Sequence, residues 1–473
     1  MSFTRVIAHN TFYQAIGRVV SVGFAAILVA FITRYLGPER FGNFTTVITF
    51  LQFFGIIIDF GLILVTVQMM SESLVPKEEL LGNLFALRFI SALLILAFAP
   101  FIILFFPYPS IVKSGVAWTL AYFFFIALNQ VLVGFLQQKY QAAKIALSEI
   151  LGRFFFFFGI IATIRFDLGL FGIIGSVTLG SFVNFFLNFL FVRKIQFFRM
   201  RFDFFVWKKI FSKSWPVAIG IIFNLIYLKA DTLILALYRS QTEVGIYGAP
   251  YRILEILIGF PLIFILFLLN RFTELWKEKN FFEFKNVLQK SFDALALVTV
   301  PMVVGTWMLA EKIMIFVAGE EFRASGAILR ILIFATGILF LGQLFGHVLV
   351  AINKQREALW IYICGAFVGL ALYFFLIPQY AYAGAAWATV GIEALVNILL
   401  VYWVWSYSQF FPRLKILLRA CLASLVMGLF LFLGKDLHVL FLIFFGMVVY
   451  GGAIFLFRGI SKELLREIFK KNS

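Results

Sequence analysis

The chain has 473 residues, of which 63% are hydrophobic and only 13% charged, with 65 phenylalanines and a formal net charge of +17. Soluble domains carry about 25% charged residues, so this composition excludes one and indicates a polytopic membrane protein. Two cysteines, Cys364 and Cys421, and three histidines offer neither a disulfide framework nor a metal-ligand spacing. Both cysteines lie in apolar runs and read as small buried hydrophobes.

A membrane-crossing helix needs about 20 mostly apolar residues. Fourteen segments qualify: 11–36, 44–70, 81–106, 115–137, 142–164, 168–192, 215–238, 245–270, 291–317, 325–352, 357–377, 381–405, 414–434 and 437–457. The first ends "FITRYLGPERFG", with no small-residue cleavage site, and reads as a retained helix. Gly37-Pro38, Pro107-Tyr108-Pro109, Pro378 and Pro412 punctuate the runs. Only "RFD" joins 142–164 to 168–192, which predicts a tight antiparallel hairpin. Residues 193–214 and 271–290 mix Lys and Arg with Phe and Trp, and predict amphipathic helices lying in the membrane interface.

With the N-terminus in the cytoplasm, cytoplasmic loops and tails hold 23 of the 40 Lys and Arg residues, outer loops 6 and spans 11. The positive-inside rule then places both termini in the cytoplasm. The net charge becomes a topology signal and an attraction to anionic lipid. Nucleic acid is a poor partner, because the basic residues are dispersed over many short loops. The outer loops, two to eight residues long, leave no room for the sizeable loop on which membrane glycosyltransferases and polymerases carry their chemistry. An enzyme is therefore not expected, and neither a catalytic residue nor a bound metal is assigned.

Sliding the sequence on itself by 203 residues lays "FYQAIG" (12–17) on "WPVAIG" (215–220) and Gly42 on Gly245. The same offset pairs Tyr35 with Tyr238 and Asn83 with Asn286. Six spans per repeat make the two halves parallel, as in transporters that rock two lobes around a central site. The expected fold is therefore all-α: fourteen transmembrane helices in two pseudo-symmetric six-helix lobes plus a C-terminal pair. The domain limits are 1–193 for the first lobe, 194–214 for an amphipathic linker, 215–406 for the second lobe and 407–473 for an accessory pair with a basic tail.

Ionisable residues inside spans are costly and mark function by default. Counted from the cytoplasmic ends, Arg18, Arg88, Glu149, Arg153 and Asp59 lie about 10–18 Å deep in the first lobe. Lys229, Asp231 and Glu393 fall near mid-span in the second, with Asn397 one turn from Glu393. Arg252 and Glu255 share a helix face by i, i+3 spacing, and Glu149 and Arg153 make a structural ion pair by i, i+4 spacing. Arg330 and Lys312 read as snorkelling residues, His347 as a polar packing residue and Asp293 as interfacial. The run Phe154 to Phe158 reads as lipid-facing bulk.

"YLGPERFGNF" (35–44), "IIIDFGL" (56–62), "LQQKYQAAKIALSEILGR" (136–153), a "WKK…SWP" element (207–216), "EVGIYGAPYRILEIL" (243–257) and "HVLVAINKQRE" (347–357) follow one another in an order and spacing that resembles the multidrug/oligosaccharidyl-lipid/polysaccharide exporter superfamily. Within it the chain looks most like the polysaccharide flippases. The resemblance implies a non-enzymatic transporter in the bacterial inner membrane. Its implied cargo is an undecaprenyl-diphosphate-linked oligosaccharide, of O-antigen repeat-unit type, moved by alternating access. A lipid II flippase and a cation-coupled drug antiporter of the same superfamily are the alternatives. It further implies function as a monomer among membrane lipids, with a polysaccharide polymerase or ligase as protein partner. No cofactor is implied beyond H+ or Na+ coupling. Arg18, Arg88, Arg252 and Lys229 are the candidate diphosphate contacts, since Arg grips phosphate bidentately. Asp59, Asp231, Glu255 and Glu393 are the candidate charge partners or ion-coupling groups.

Overall fold

The computed structural model describes residues 3–60, 69 and 76–459; side chains are described from Gly23 onward, apart from single positions in the second, sixth and seventh helices. Among the described residues the chain is helical almost throughout. The α-helices are α1 (Phe3–Asp59), α2 (Lys77–Ile102), α3 (Ser110–Gln138), α4 (Ala142–Arg165), α5 (Gly169–Ile195), α6 (Phe204–Tyr238), α7 (Gln241–Lys277), α8 (Phe281–Ala318), α9 (Ser325–Ala351), α10 (Gln355–Ser408), α11 (Lys415–Leu433) and α12 (Val439–Leu456).

Two of these are too long for one crossing. At 57 and 54 residues, α1 and α10 would each run more than about 80 Å if straight. Each breaks once. In α1 the break is Gly37, at φ 66° and ψ 175°, a region essentially closed to residues with a Cβ; Pro38 follows and starts the next rod. In α10 the break is Ala381, at φ 51° and ψ −137°, three residues after Pro378. Among the described residues, two doubled rods and ten single ones give fourteen α-helical rods, one for each of the fourteen predicted runs. Among the described residues, eleven helices contain a window apolar and long enough to cross a bilayer, the two doubled ones counting once each. The chain is a multi-pass membrane protein.

Contacts divide the chain into residues 1–248 and 249–473. The division falls inside α7, later than the 194–214 linker, because α6 packs on α1 and α2. In the first unit α1 also packs on α3 and α4, and α5 packs on α3 and α4. The predicted α4–α5 hairpin is present. It turns through Asp167 (φ 48°) and Gly169 (φ 62°). Tyr35 of α1 holds it: the Tyr35 hydroxyl donates to Asp167 Oδ1 at 2.8 Å and accepts from the Gly169 N–H at 2.8 Å. Tyr108, buried in the α2–α3 loop, donates to the Leu233 carbonyl at 3.1 Å, and burial pushes its phenol well above the ordinary range.

Two sequence expectations are corrected. Residues 193–214 form no separate interfacial helix. α5 ends at Ile195, residues 196–203 are irregular, and 204–214 are the opening turns of α6. The cause is burial: Phe198, Val206 and Ile210 enter a core with Leu81, Leu84, Phe85, Leu132 and Phe135 of α2 and α3. The strap is pinned as well. Asp203 N–H donates to Asn83 Oδ1 at 2.9 Å, Arg201 N–H donates to the Gly82 carbonyl, and Arg201 pairs with Glu79 at 3.1 Å. The Asp203 carboxylate then caps α6 by accepting from Phe205 and Val206 N–H. Residues 271–290 are likewise a helical hairpin, with α7 ending at Lys277 and α8 starting at Phe281. Part of its aromatic set turns inward: Phe272 and Phe284 are fully buried and Trp276 packs on Phe281 and Phe284, while Phe282 stays exposed.

In the second unit α9 packs on α8 and both rods of α10, and α11 packs on α8 and α12. The accessory pair is tied down by polar contacts. Lys312 of α8 donates to the carbonyls of Lys435 and Leu437, and the Tyr450 hydroxyl of α12 donates to the Leu297 carbonyl at 2.8 Å. Lys312 therefore holds a loop rather than only reaching for water.

Candidate functional site

Within the first unit a cavity of about 350 Å³ opens between α1, α3 and α6. Its α1 wall is Ile48, Gln52, Gly55, Ile56 and Asp59, a stripe at helical spacing. Its α3 wall is Tyr122, Phe123, Ile126, Ala127 and Gln130, and α6 supplies Leu225 and Lys229. A carboxylate, an ammonium, two amides and a phenol thus share one chamber among apolar side chains.

Asp59 is the last residue of α1, and Phe60 leaves the helix at φ 43°. A helix end leaves carbonyls without partners and carries partial negative charge. Arg88 of α2 answers both. Its Nη1 donates to the Ile58 carbonyl at 2.5 Å and its Nη2 to Asp59 Oδ1 at 2.7 Å. Arg88 is completely buried. It is not among the cavity-lining residues, and its guanidinium is spent on capping α1 and orienting Asp59. The sequence expectation of a phosphate contact therefore does not suit Arg88. Among the described residues, Lys229 is the cation that lines the chamber.

The other candidates lie elsewhere. Asp231, two residues beyond Lys229, is fully buried and accepts from the Tyr247 hydroxyl at 2.7 Å, the Thr232 N–H at 2.6 Å and Thr232 Oγ1 at 3.2 Å. It ties α6 to α7 and does not line the cavity. Glu149 and Arg153 pair on α4 at 3.1 Å, each about a third exposed. Arg252 and Glu255 pair on α7 in the second unit, also at 3.1 Å. Glu393, buried on the second rod of α10, belongs to the second unit too, and its backbone carbonyl accepts from Asn397 Nδ2 at 2.9 Å. His347 Nδ1 lies 2.7 Å from the Gln343 carbonyl one turn back, and Asp293 accepts from Gln289 at 2.9 Å. Phe154, Phe155 and Phe158 are exposed, as lipid-facing residues would be. The Arg18 assignment concerns a side chain outside the described ones.

Sequence reasoning missed Gln52, Tyr122 and Gln130. They carry no charge, so a search for buried ions passes over them. The available signal was spacing: Gln52 and Asp59, seven residues apart, share a helix face.

The model of the polysaccharide biosynthesis protein family matches residues 7–276, and the MatE model matches 216–375. A "probable low-salt glycan biosynthesis flippase Agl15" of Haloferax volcanii is 24% identical over 271 residues, which is 56% of this chain and 57% of that protein. The matched region thus spans little more than half of that relative. Among solved structures, the lipid II flippase MurJ in an inward closed conformation superposes with a TM-score of 0.79 at 17% identity, covering 96% of this chain and 99% of the other. An inward-facing multidrug resistance MATE family transporter gives 0.65 at 13% identity, covering 84% and 97%. At these identities the two structures show a shared fold. With more than half of its length matched by one family model, the chain belongs to the polysaccharide biosynthesis protein family of the multidrug/oligosaccharidyl-lipid/polysaccharide exporter superfamily.

Proposed function

We propose that this protein is a flippase that moves a polyprenyl-diphosphate-linked oligosaccharide across a bacterial inner membrane by alternating access. The observation that carries the reading is the polar chamber of Asp59, Lys229, Gln52 and Gln130 within membrane-crossing helices. Such groups are expensive in hydrocarbon and persist where something polar must pass. A sugar diphosphate is such a cargo, and the glycan-flippase relative supports it. Lys229 offers charge to a phosphate. Arg252, about one-fifth exposed and paired with Glu255, is a second candidate, and Arg18 a third. H+ or Na+ coupling at Glu393 belongs to the same reading.

Depleting the protein in a strain without a paralogue should accumulate lipid-linked oligosaccharide on the cytoplasmic face and reduce surface glycan. Normal surface glycan after clean deletion sinks the proposal. At matched expression, Lys229→Ala should cut glycan export at least tenfold, and Lys229→Arg should restore much of it. A drug-susceptibility panel on the deletion strain tests the antiporter alternative, which requires sensitisation without loss of glycan.

A further inference from the structure

We propose that the α1–α3–α6 cavity is a monosaccharide subsite, in which Gln52, Asp59 and Gln130 read the sugar joined to the diphosphate while Lys229 faces the phosphate. The proposal rests on the flippase reading above and names what that chamber selects.

Charge argues against a chamber made for phosphate alone. Asp59 points a carboxylate at the cavity and is locked there by Arg88. A diphosphate oxygen beside it meets like charge, whereas an ionised carboxylate accepts from hydroxyl and amide donors. A metal cation fits no better, because among the described residues the Asp59 carboxylate is already paired with Arg88 and shares its chamber with the Lys229 ammonium. Neutral groups that donate and accept hydrogen bonds are what remain, and sugar hydroxyls and N-acyl groups do both.

The amides complete the pattern. Gln52 Oε1 is buried and has no hydrogen-bond partner among the described residues. A buried acceptor left unmet costs about 1–3 kcal/mol, so a ligand donor at this position is favoured. Gln52 and Asp59 are spaced roughly 10 Å apart along α1, and Gln130 enters from α3. Each amide supplies donors and an acceptor. Size sets the last limit. Ligand pockets run from about 300 to 1,000 Å³, and 350 Å³ lies at the bottom of that range. One pyranose ring fits within it. The flippase would then check the first sugar at this site.

The test uses the full-length protein in lipid nanodiscs and two probes: bare polyprenyl diphosphate, and polyprenyl diphosphate bearing a single N-acetylhexosamine. Wild type should bind the sugar-bearing lipid about tenfold more tightly. Gln52→Leu and Gln130→Leu should abolish that preference, so that each variant binds the two probes with equal affinity. Binding of the bare lipid also reports that each variant is folded; where Gln52→Leu loses it, the more flexible Gln52→Met decides by the same criterion. Equal wild-type affinity for the two probes overturns the subsite and leaves the flippase reading standing. Failure of wild type to bind either probe overturns both. Variants that bind the bare lipid and retain the sugar preference overturn the subsite, as does a preference that vanishes when sodium is replaced by choline.

Discussion

At the scale of single residues, Asp59 and Arg88 set the pattern. A carboxylate near the middle of an apolar run demands a partner, and the structure provides one that also closes a helix end. Removing one member of a buried pair typically costs about 3–5 kcal/mol, while replacing both by apolar groups costs far less. Arg88→Met should therefore lower the melting temperature of the purified protein sharply, and Asp59→Leu/Arg88→Met should recover part of the loss. Additive losses in that cycle would show that the two side chains do not act as a pair. The requirement for a partner was legible in the sequence, because burial energetics depend only on residue type. Which arginine answers was not. Arg18, Arg88 and Arg153 stood at similar depth, and only the way α2 packs against the end of α1 selects Arg88. Gln52 and Gln130 escaped altogether, because a neutral amide in an apolar run raises no alarm by charge.

At the scale of elements, close approach decides what the spans can do. Gly42 and Gly245, matched by the internal repeat, lie against each other where α1 meets the start of α7. A Cβ on Gly42 would stand 1.7 Å from the Gln241 carbonyl oxygen, and one on Gly245 would stand 1.9 Å from that of Pro38. Both obstacles are backbone, which cannot swing aside, and Thr46 adds a hydrogen bond to Gln241 Oε1 at 2.8 Å. Gly42→Val should destabilise the protein by at least the roughly 1–3 kcal/mol of ordinary overpacking, read as a fall in melting temperature. An unchanged melting temperature would mean that the two helices do not meet this way. The strap at 196–203 gives a second test. Asn83 is buried and accepts the Asp203 N–H, so Asn83→Leu leaves that donor without its acceptor. Limited trypsin digestion should then cut faster after Arg199 and Arg201 than in wild type. Equal rates would show that Asn83 does not hold the strap. Span positions were legible because hydropathy is local. The strap was not, because the sequence presents a basic aromatic segment equally suited to a membrane surface, and its burial depends on Leu81, Phe85 and Leu132 more than sixty residues upstream.

For the whole molecule, the distribution of 40 basic residues is the basis for the expected orientation, with both termini in the cytoplasm. With Cys364 and Cys421 replaced by Ser, a membrane-impermeant thiol reagent added to intact cells should label a cysteine at Glu320, in the α8–α9 loop, and leave one at Lys279, in the α7–α8 turn, unlabelled until the membrane is opened. The reverse pattern would invert the topology. The sequence by itself determined the all-helical membrane class, the fourteen rods, their boundaries to within a turn or two in most cases, and the repeat that pairs Gly42 with Gly245. These follow from apolar length, turn residues and basic bias, each a property of consecutive residues. Only the tertiary structure decided that Arg88 caps a helix instead of lining the chamber, that Asp231 is absorbed by Tyr247 and Thr232, and that Gln52, Gln130 and Lys229 share a cavity with Asp59. Those outcomes depend on which faces of distant helices meet. Hydropathy tells a residue to leave water, but it does not say which neighbour it will find there.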